Sequence, residues 1–202
     1  MQSGLKVLVV AAHPYHEVLG CGATMAKHAA AGDIVWTLIL GQGVTSRRGY
    51  SRMQVKRSMD ALYAASRRAN GLLGAKRVIQ KKYPDNAFDS VARLKIVQTV
   101  EDVVGTLEPD MVYTHSSCDL NIDHRITCEV VKTACRPLPQ SRIRRLLSFE
   151  VPSATEWGFG GEGFSPNVFV NAEASIEKKL QAMLEYKDEL RVLCKYDNDT
   201  KN

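Results

Sequence analysis

Two short, nearly uninterrupted apolar segments constrain the fold more than any other feature of this sequence. Leu5–Ala12 reads LKVLVVAA and Ile34–Leu40 reads IVWTLIL, so neither segment alternates apolar and polar residues. Strands buried on both faces have this character, and they occur in parallel sheets that helices cover on both sides. The segment between them, Val18 to Ala31, has helical composition and ends at Gly32 and Asp33. The pattern predicts a strand–helix–strand unit and therefore an α/β protein.

The rest of the chain continues this alternation of strands and helices. Further strands are predicted at Arg77–Ile79, Met111–Thr114, Leu146–Val151 and Asn167–Val170. Further helices are predicted at Val55–Leu73, Ile96–Leu107, Ile126–Cys135 and Ser175–Leu190. This order is typical of a Rossmann-like, mainly parallel sheet with helices on both faces. At 202 residues, the chain is expected to form one domain that spans residues 1–202.

Composition and charge narrow the classes of function. The formal net charge is +5, but the basic residues are dispersed and no basic run is interleaved with aromatic residues, so we do not expect nucleic-acid binding. The positive net charge is also suited to binding an anionic group on a small substrate. The five cysteines include no C-x-x-C pair, and no segment resembles a signal peptide or a membrane span. We therefore expect free thiols in a reducing, cytoplasmic environment.

Four of the five histidines lie at the ends of predicted strands. His13 and His16 follow the first strand, whereas His115 and His124 follow the strand Met111–Thr114. Ligands of parallel α/β sheets bind outside the carboxyl ends of the strands. Imidazole nitrogens bind zinc, and a catalytic zinc site needs three protein ligands and one open position. A metal site is one interpretation of this pattern, and structural histidines are an equally good one from spacing alone.

Other catalytic or cofactor motifs are weaker. A dinucleotide fingerprint would start at Gly20 and Gly22, but Met25 occupies the place of its third glycine. No G-x-S-x-G motif is present, and Cys118, although near His115 in sequence, is of a residue type that is usually inert and buried.

The loop KYPDNAFD has two interpretations. Its Pro-Asp-Asn sequence favours a turn. Its polar side chains, Asp85, Asn86 and Asp89, are also suited to hydrogen-bond a sugar.

Two motifs resemble those of the LmbE-like deacetylases, also called the PIG-L family. AHPYHEVLGCG resembles the signature A-H-P-D-D-E-x-L-G-x-G, and YTHSSCDLNIDHRIT resembles a second signature that ends in D-H. KYPDNAFD and FSPNVFV also resemble segments of bacterial members, so the resemblance extends from residue 5 to about residue 190. It implies a zinc-dependent hydrolase that removes acetyl from an N-acetyl amino sugar, mostly N-acetylglucosamine in a conjugate. Such conjugates include glycosylphosphatidylinositol and the precursors of mycothiol and bacillithiol.

The resemblance also implies roles for individual residues. In the family, the first histidine, the second aspartate and the late D-H histidine hold zinc, and the first aspartate is the general base. Carried over, His13 and His124 are zinc ligands, and Asp123 is a catalytic-site acid that orients a neighbouring imidazole. Arg47 and Arg48 resemble a substrate-contacting position. We assign Asp85 and Asn86 to substrate binding with them.

The sequence departs from the family where Asp-Asp is replaced by Tyr15-His16. Because imidazole replaces carboxylate in many zinc sites, His16 is expected to be the third ligand. Tyr15 takes the place of the catalytic base, but a phenol with a reference pKa of about 10 has little basicity at neutral pH. Asn121 stands where some relatives have a supporting histidine. We expect a deacetylase weakened or silenced through Tyr15, or alternatively an inactive metal- or sugar-binding relative, with homo-oligomerisation left open.

Overall fold

The computed structural model of the protein describes residues 4–46, 49–152, 154–157 and 163–189. Strands and helices alternate along the chain, as the apolar pattern predicts. The strands are β1 (Lys6–Ala11), β2 (Ile34–Gly41), β3 (Arg77–Tyr83), β4 (Met111–His115) and β5 (Arg145–Phe149). The helices are α1 (His16–Ala30), α2 (Arg52–Leu72), α3 (Arg93–Leu107), α4 (Ile122–Ala134) and α5 (Ile176–Leu184).

The five strands form one parallel sheet in the order β3-β2-β1-β4-β5. The chain builds the sheet outward from β1 through β2 to β3, and then returns to place β4 on the other side of β1. Neighbouring β1 and β4 therefore lead into connections that run in opposite directions. A crevice opens at such a switch point, beyond the carboxyl ends of the two strands.

The sheet is buried on both faces, which explains the uninterrupted apolar sequence of β1. Val7 and Val9 pack on one face into a core cluster with residues of α1, α2 and α5. Leu8 and Val10 pack on the other face with residues of α3 and α4. The α/β class and the helices on both faces are thus confirmed. Within the described ranges, none of the helices combines the length and apolar character needed to cross a bilayer.

Two predicted elements near the carboxyl end were wrong. Asn167–Val170 is not a strand and pairs with none of the strands in the described residues. Just after it, the carbonyl of Asn171 accepts a hydrogen bond from the Lys27 ammonium at 2.8 Å, so the segment leads to the helix layer beside α1. The predicted helix Ser175–Leu190 is shorter, since α5 ends at Leu184 and a 3₁₀ turn covers Lys187–Glu189. Leu190 lies outside the described residues.

Candidate metal centre

The candidate site lies at the switch point, where the loops after β1 and β4 face each other. His13 follows β1, and His16 is the first residue of α1. After β4, the chain supplies Asp119 from a loop, and then Asp123 and His124 from the first turn of α4. The Asn121 side chain accepts a hydrogen bond from the Asp123 backbone N–H at 2.8 Å and caps this helix. The first turn of α1 thus positions His16 on one side of the crevice, and the capped first turn of α4 positions Asp123 and His124 on the other.

His13 is held by carboxylates and by a close backbone approach. Its Nε2 lies 2.8 Å from Asp123 Oδ2 and 3.2 Å from Asp85 Oδ1. A side chain at Gly41, the last residue of β2, would place its Cβ 2.9 Å from the His13 ring, so glycine makes room for the imidazole. The ring is 4% exposed. With Nε2 committed to the carboxylates, Nδ1 is the nitrogen left for a ligand, which is a common arrangement of metal-binding histidines.

His124 has a carboxylate partner of its own. Its Nδ1 lies 3.0 Å from Asp119 Oδ2. The same Asp119 oxygen accepts a hydrogen bond from the Thr155 hydroxyl at 2.9 Å, and Asp119 Oδ1 accepts one from the Asn121 backbone N–H at 2.8 Å. These contacts fix the His124 tautomer, so that Nε2 is directed away from the carboxylate.

His16 completes a convergent group of three imidazoles. His124 Nε2 and His16 Nδ1 form a hydrogen bond of 2.9 Å, and one donor atom from each of His13, His16 and His124 lies within 4.8 Å of the others. All three rings are imidazoles, whose nitrogens zinc binds at about 2.0–2.1 Å. For both nitrogens of the hydrogen-bonded pair to bind one ion, the shared proton must leave that contact, which a neutral imidazole achieves by changing tautomer. The residues therefore fit a three-histidine metal centre.

A fourth imidazole, His115, supports this group from behind. It is fully buried and stacks on His124 with ring centroids 4.0 Å apart. Its Nε2 accepts a hydrogen bond from the Ala12 backbone N–H at 2.9 Å, which ties the end of β4 to the residue before His13. Burial, and then the neighbouring histidines, hold the pKa of His115 well below its ordinary value. It is a neutral ring that positions β1 and His124.

The electrostatics favour neutral ligands next to a charged carboxylate. Burial lowers the pKa of His124, and the contact with Asp119 only partly opposes this effect. For Asp119, burial alone would raise the pKa, but the hydrogen bond and charge of His124 outweigh it and the net pKa is lowered. A deprotonated imidazole and an ionised carboxylate are the states that metal binding requires.

Tyr15 occupies the N-cap position of α1 without making a side-chain cap. Its φ of 85° places a bulky residue in the left-handed half of the backbone map, which is rare outside glycine. The half-buried ring meets Tyr186 edge to face with centroids 5.5 Å apart. Burial, followed by the charge of Glu189, raises the pKa of Tyr15. The side chain at position 15 therefore ionises even less readily than a free tyrosine, so the proton-accepting phenolate is even scarcer at neutral pH.

A cavity of about 480 Å³ opens in front of the three histidines. Asp85 and Asn86 both line it, as does Ser46 from the loop after β2. Asp85 accepts a hydrogen bond from the Ser46 hydroxyl at 2.5 Å, and the Asn121 amide donates to Asn86 at 3.0 Å. The loops after β2, β3 and β4 therefore form one polar wall. Arg47 and Arg48, which the sequence also pointed to, lie outside the described residues.

Three residues of the site were missed from the sequence. Asp119 had a detectable signal, since it lies four residues after His115 inside the second motif. Ser46 and Glu189 had none, because they reach the cavity only through the folding of distant segments.

Comparison with known proteins agrees with this fold. The chain is 27% identical to "Uncharacterized deacetylase YaiS" of Escherichia coli K12 over 90% of each protein. The conserved protein TT1542 from Thermus thermophilus superposes with a TM-score of 0.69 at 25% identity, covering 91% of this chain and 79% of the other. The N,N'-diacetylchitobiose deacetylase from Pyrococcus horikoshii shares the fold, with a TM-score of 0.71 at 19% identity over 93% of this chain and 71% of that one.

A model of a protein family also matches the sequence. The model described as PIG-L, GlcNAc-PI de-N-acetylase, matches residues 8–135, which run from within β1 to the end of α4 and include the four histidines of the site. The chain therefore belongs to the PIG-L family of deacetylases.

Proposed function

We propose that this protein is a zinc-dependent hydrolase that removes acetyl from an N-acetylglucosamine-type conjugate. The single observation that carries the proposal is the convergence of His13, His16 and His124, whose donor atoms lie within 4.8 Å of one another beside an open polar cavity. In this reading residues 1–202 act as one deacetylase domain on a small molecule in the cytoplasm.

In this proposal, one set of residues positions the metal ligands and another binds the sugar. Asp123 orients His13 through a hydrogen bond to its Nε2, and Asp119 orients His124 through a close contact with its Nδ1. When bound, zinc supplies Lewis-acid polarisation of the acetamide carbonyl and activation of water. Asp85 and Asn86 face the cavity and offer acceptors and donors to sugar hydroxyls, with Arg47 and Arg48 assigned to the same role.

The test measures acetate released from N-acetylglucosamine conjugates by the zinc-loaded chain. The panel includes N,N'-diacetylchitobiose, whose name a structural relative carries, and an aryl N-acetylglucosaminide. We expect acetate release that a chelator abolishes and zinc restores. A stoichiometric zinc protein that releases no acetate, even after Asp is restored at position 15, would contradict the proposal.

A second candidate function is a metal- or sugar-binding relative without catalysis. The observation that favours it is that Tyr15 stands at the position of the family's base and Asn121 at that of a supporting histidine in some relatives, and both line the cavity. Under this candidate, the sugar conjugate binds to the zinc-loaded chain without turnover, which calorimetric titration beside the acetate assay distinguishes.

A further inference from the structure

A second cavity, which we call the α2 groove, lies between α2 and the turn that follows α5. Its walls are one face of α2, Val44 from the loop after β2, and the residues Glu185, Tyr186, Lys187 and Glu189. Its volume is about 510 Å³, close to the 480 Å³ of the cavity in front of the three histidines. Both volumes fall in the range of small-molecule sites, roughly 300–1,000 Å³. The α2 groove is therefore large enough to hold part of a substrate.

The α2 groove adjoins the metal cavity along a shared wall. Glu189 lines both spaces. Tyr15, which lines the metal cavity, packs edge to face on Tyr186 of the groove, with ring centroids 5.5 Å apart. Gly43 lines the metal cavity, and the next residue, Val44, lines the groove. A ligand bound at the histidines can therefore extend into the groove.

Gly43 marks the junction between the two spaces. A Cβ at this glycine would lie 3.1 Å from Pro14 Cδ, in the wall of the metal cavity, and 3.1 Å from Leu62 Cδ2, in the wall of the groove. Its φ of 76° also disfavours any residue with a side chain. The residue between the two walls at this point therefore has no side chain.

The floor of the α2 groove is apolar and smooth. Val44, Leu62 and Ala65 are 1%, 7% and 5% exposed. Ala61 is exposed beside them on the same face of α2, and its small side chain leaves the space above it open. A flat group with an apolar face, such as the C–H face of a sugar ring, fits against these side chains.

The rim of the α2 groove carries charges of both signs. Arg57, Arg68 and Lys187 supply cations, and Glu185 and Glu189 supply carboxylates. Arg68 Nε and Glu185 Oε2 are 2.6 Å apart, so one cation and one carboxylate form an ion pair. The carboxylates disfavour an anionic ligand, and covering the charged rim with a purely apolar ligand is costly. Hydroxyl groups both donate and accept hydrogen bonds, so a polyhydroxylated ligand suits both kinds of charge.

We infer that the α2 groove is an aglycone subsite that takes a neutral, polyhydroxylated ring, either a second sugar or a cyclitol; this rests on the proposed function. In N-acetylglucosamine the acetamide is on C2, next to the glycosidic carbon C1. With the acetamide at the histidines, the group attached to C1 must therefore begin beside the metal cavity. The α2 groove supplies an apolar floor for its ring and a charged rim for its hydroxyls.

The test measures binding to the zinc-loaded, full-length chain by calorimetric titration, which does not depend on turnover. The ligands are methyl N-acetylglucosaminide, N,N'-diacetylchitobiose, N-acetylglucosaminyl-inositol, N-acetylglucosamine 1-phosphate and phenyl N-acetylglucosaminide. We expect the disaccharide, the inositol conjugate or both to bind at least about tenfold more tightly than the methyl glycoside, because ring contacts and hydroxyl hydrogen bonds are added. The phosphate and the phenyl glycoside should gain less. A gain confined to one of the two conjugates identifies the ring as a sugar or as a cyclitol.

Two pairs of variants assign the gain to the α2 groove. Ala61→Phe fills the groove from an exposed helix position, so affinity for the tighter conjugate should fall to about that of the methyl glycoside. Ala61→Ser keeps the side chain small and should retain the gain. Arg57→Ala should lower the gain severalfold. Arg67→Ala, at an exposed α2 arginine outside the described lining, should not. The zinc content and the thermal unfolding midpoint should stay unchanged in all four variants.

The results that overturn the inference differ from those that overturn the proposed function. Methyl glycoside binding without any gain from a sugar or inositol aglycone would overturn the subsite and leave the proposed function intact. A gain that persists in folded Ala61→Phe protein would do the same, as would a larger gain from the phosphate or phenyl group. If none of the five ligands binds the zinc-loaded chain, the proposed function fails and the subsite fails with it.

Discussion

Among single residues, Tyr15 is expected to have the largest chemical consequence, because it stands where the resembled signature has an aspartate. The backbone there has φ of 85°, and short polar residues such as aspartate tolerate positive φ better than tyrosine does. The aspartate of the resembled signature would supply a carboxylate at this position and would suit its backbone conformation better than tyrosine does. Its ring lies in the cavity wall, where a substrate acetamide is expected to sit.

Restoring the carboxylate should raise turnover. Tyr15→Asp is expected to increase kcat for acetate release by about 10²-fold, the usual contribution of a well-positioned base. Tyr15→Phe is the matched control, because it keeps the ring, lacks the hydroxyl and should produce no increase. Acetate release from an N-acetylglucosamine conjugate measures both variants. Full family-like activity in the unaltered chain, with no gain in Tyr15→Asp, would show that the role of Tyr15 has been misjudged.

Some residues of the site could be predicted and others could not, for physical reasons. The approach of His13, His16 and His124 follows from their positions after parallel strands, since the carboxyl ends of such strands share one edge. The pairing of Asp123 with His13 follows less directly, because it needs the orientation of α4 as well as its sequence. Glu189 could not be predicted, since only the packing of the last turn brings it to the cavity.

At the scale of elements, a buried polar network joins α1, α2, β2 and the turn after α5. Glu17 of α1 accepts hydrogen bonds from the Tyr186 hydroxyl at 2.5 Å and the Asn70 amide at 2.9 Å. Asn70 also accepts one from the Thr37 hydroxyl at 2.6 Å. Burial raises the pKa of Glu17 to about 7, which its hydrogen bonds only partly offset. The network fixes the start of α1, and with it His16.

Removing one hydroxyl from this network should weaken the fold measurably. Tyr186→Phe is expected to lower the free energy of unfolding by about 1–3 kcal/mol, because it takes a hydrogen-bond donor from a buried carboxylate. Denaturant unfolding monitored by circular dichroism measures the change. Tyr50→Phe, at an exposed tyrosine, is the control and should have little effect. An unchanged denaturant midpoint in Tyr186→Phe would mean that the Tyr186 hydroxyl contributes no net stability.

The elements that sequence patterns misjudged lie where local and tertiary preferences disagree. VFV in Val168–Val170 has strand-forming residues, yet among the described residues it pairs with no strand, and it is largely exposed. Whether such a segment joins a sheet depends on a free neighbouring strand, which periodicity does not reveal. The end of α5 at Leu184 likewise reflects the need to turn Tyr186 into the core, a contact with a residue 169 positions away.

For the whole molecule, the central strand explains both the fold and the location of chemistry. β1 is buried between two helix layers, and its neighbours β2 and β4 carry the chain to opposite sides. Two uninterrupted apolar segments were sufficient to predict this architecture, because few other folds bury strands on both faces. The strand order was not predictable from them, since it depends on which edge β4 joins.

The packing of the helices against the sheet can be tested by measuring how fast the cysteine thiols react. Cys21, Cys128 and Cys135 are buried, and burial raises the pKa of the Cys21 and Cys135 thiols to about 12. We expect these three to react slowly with iodoacetamide in the folded protein, whereas the partly exposed Cys118 reacts faster than they do. Peptide mapping by mass spectrometry, with urea-unfolded protein as the control, gives the order. Rapid native labelling of Cys21 would contradict the described packing.

The zinc content of His16→Ala decides whether three imidazoles hold one metal ion in this protein. The unaltered chain is expected to hold about one zinc ion per protein after zinc loading and removal of excess metal. His16→Ala should lose most of it, because a two-histidine remnant binds zinc weakly. His28→Ala, which removes a histidine bonded to Asp33 and Tyr113 at the far end of α1, should keep it. A folded His16→Ala protein that retains a full equivalent of zinc would contradict the three-histidine centre.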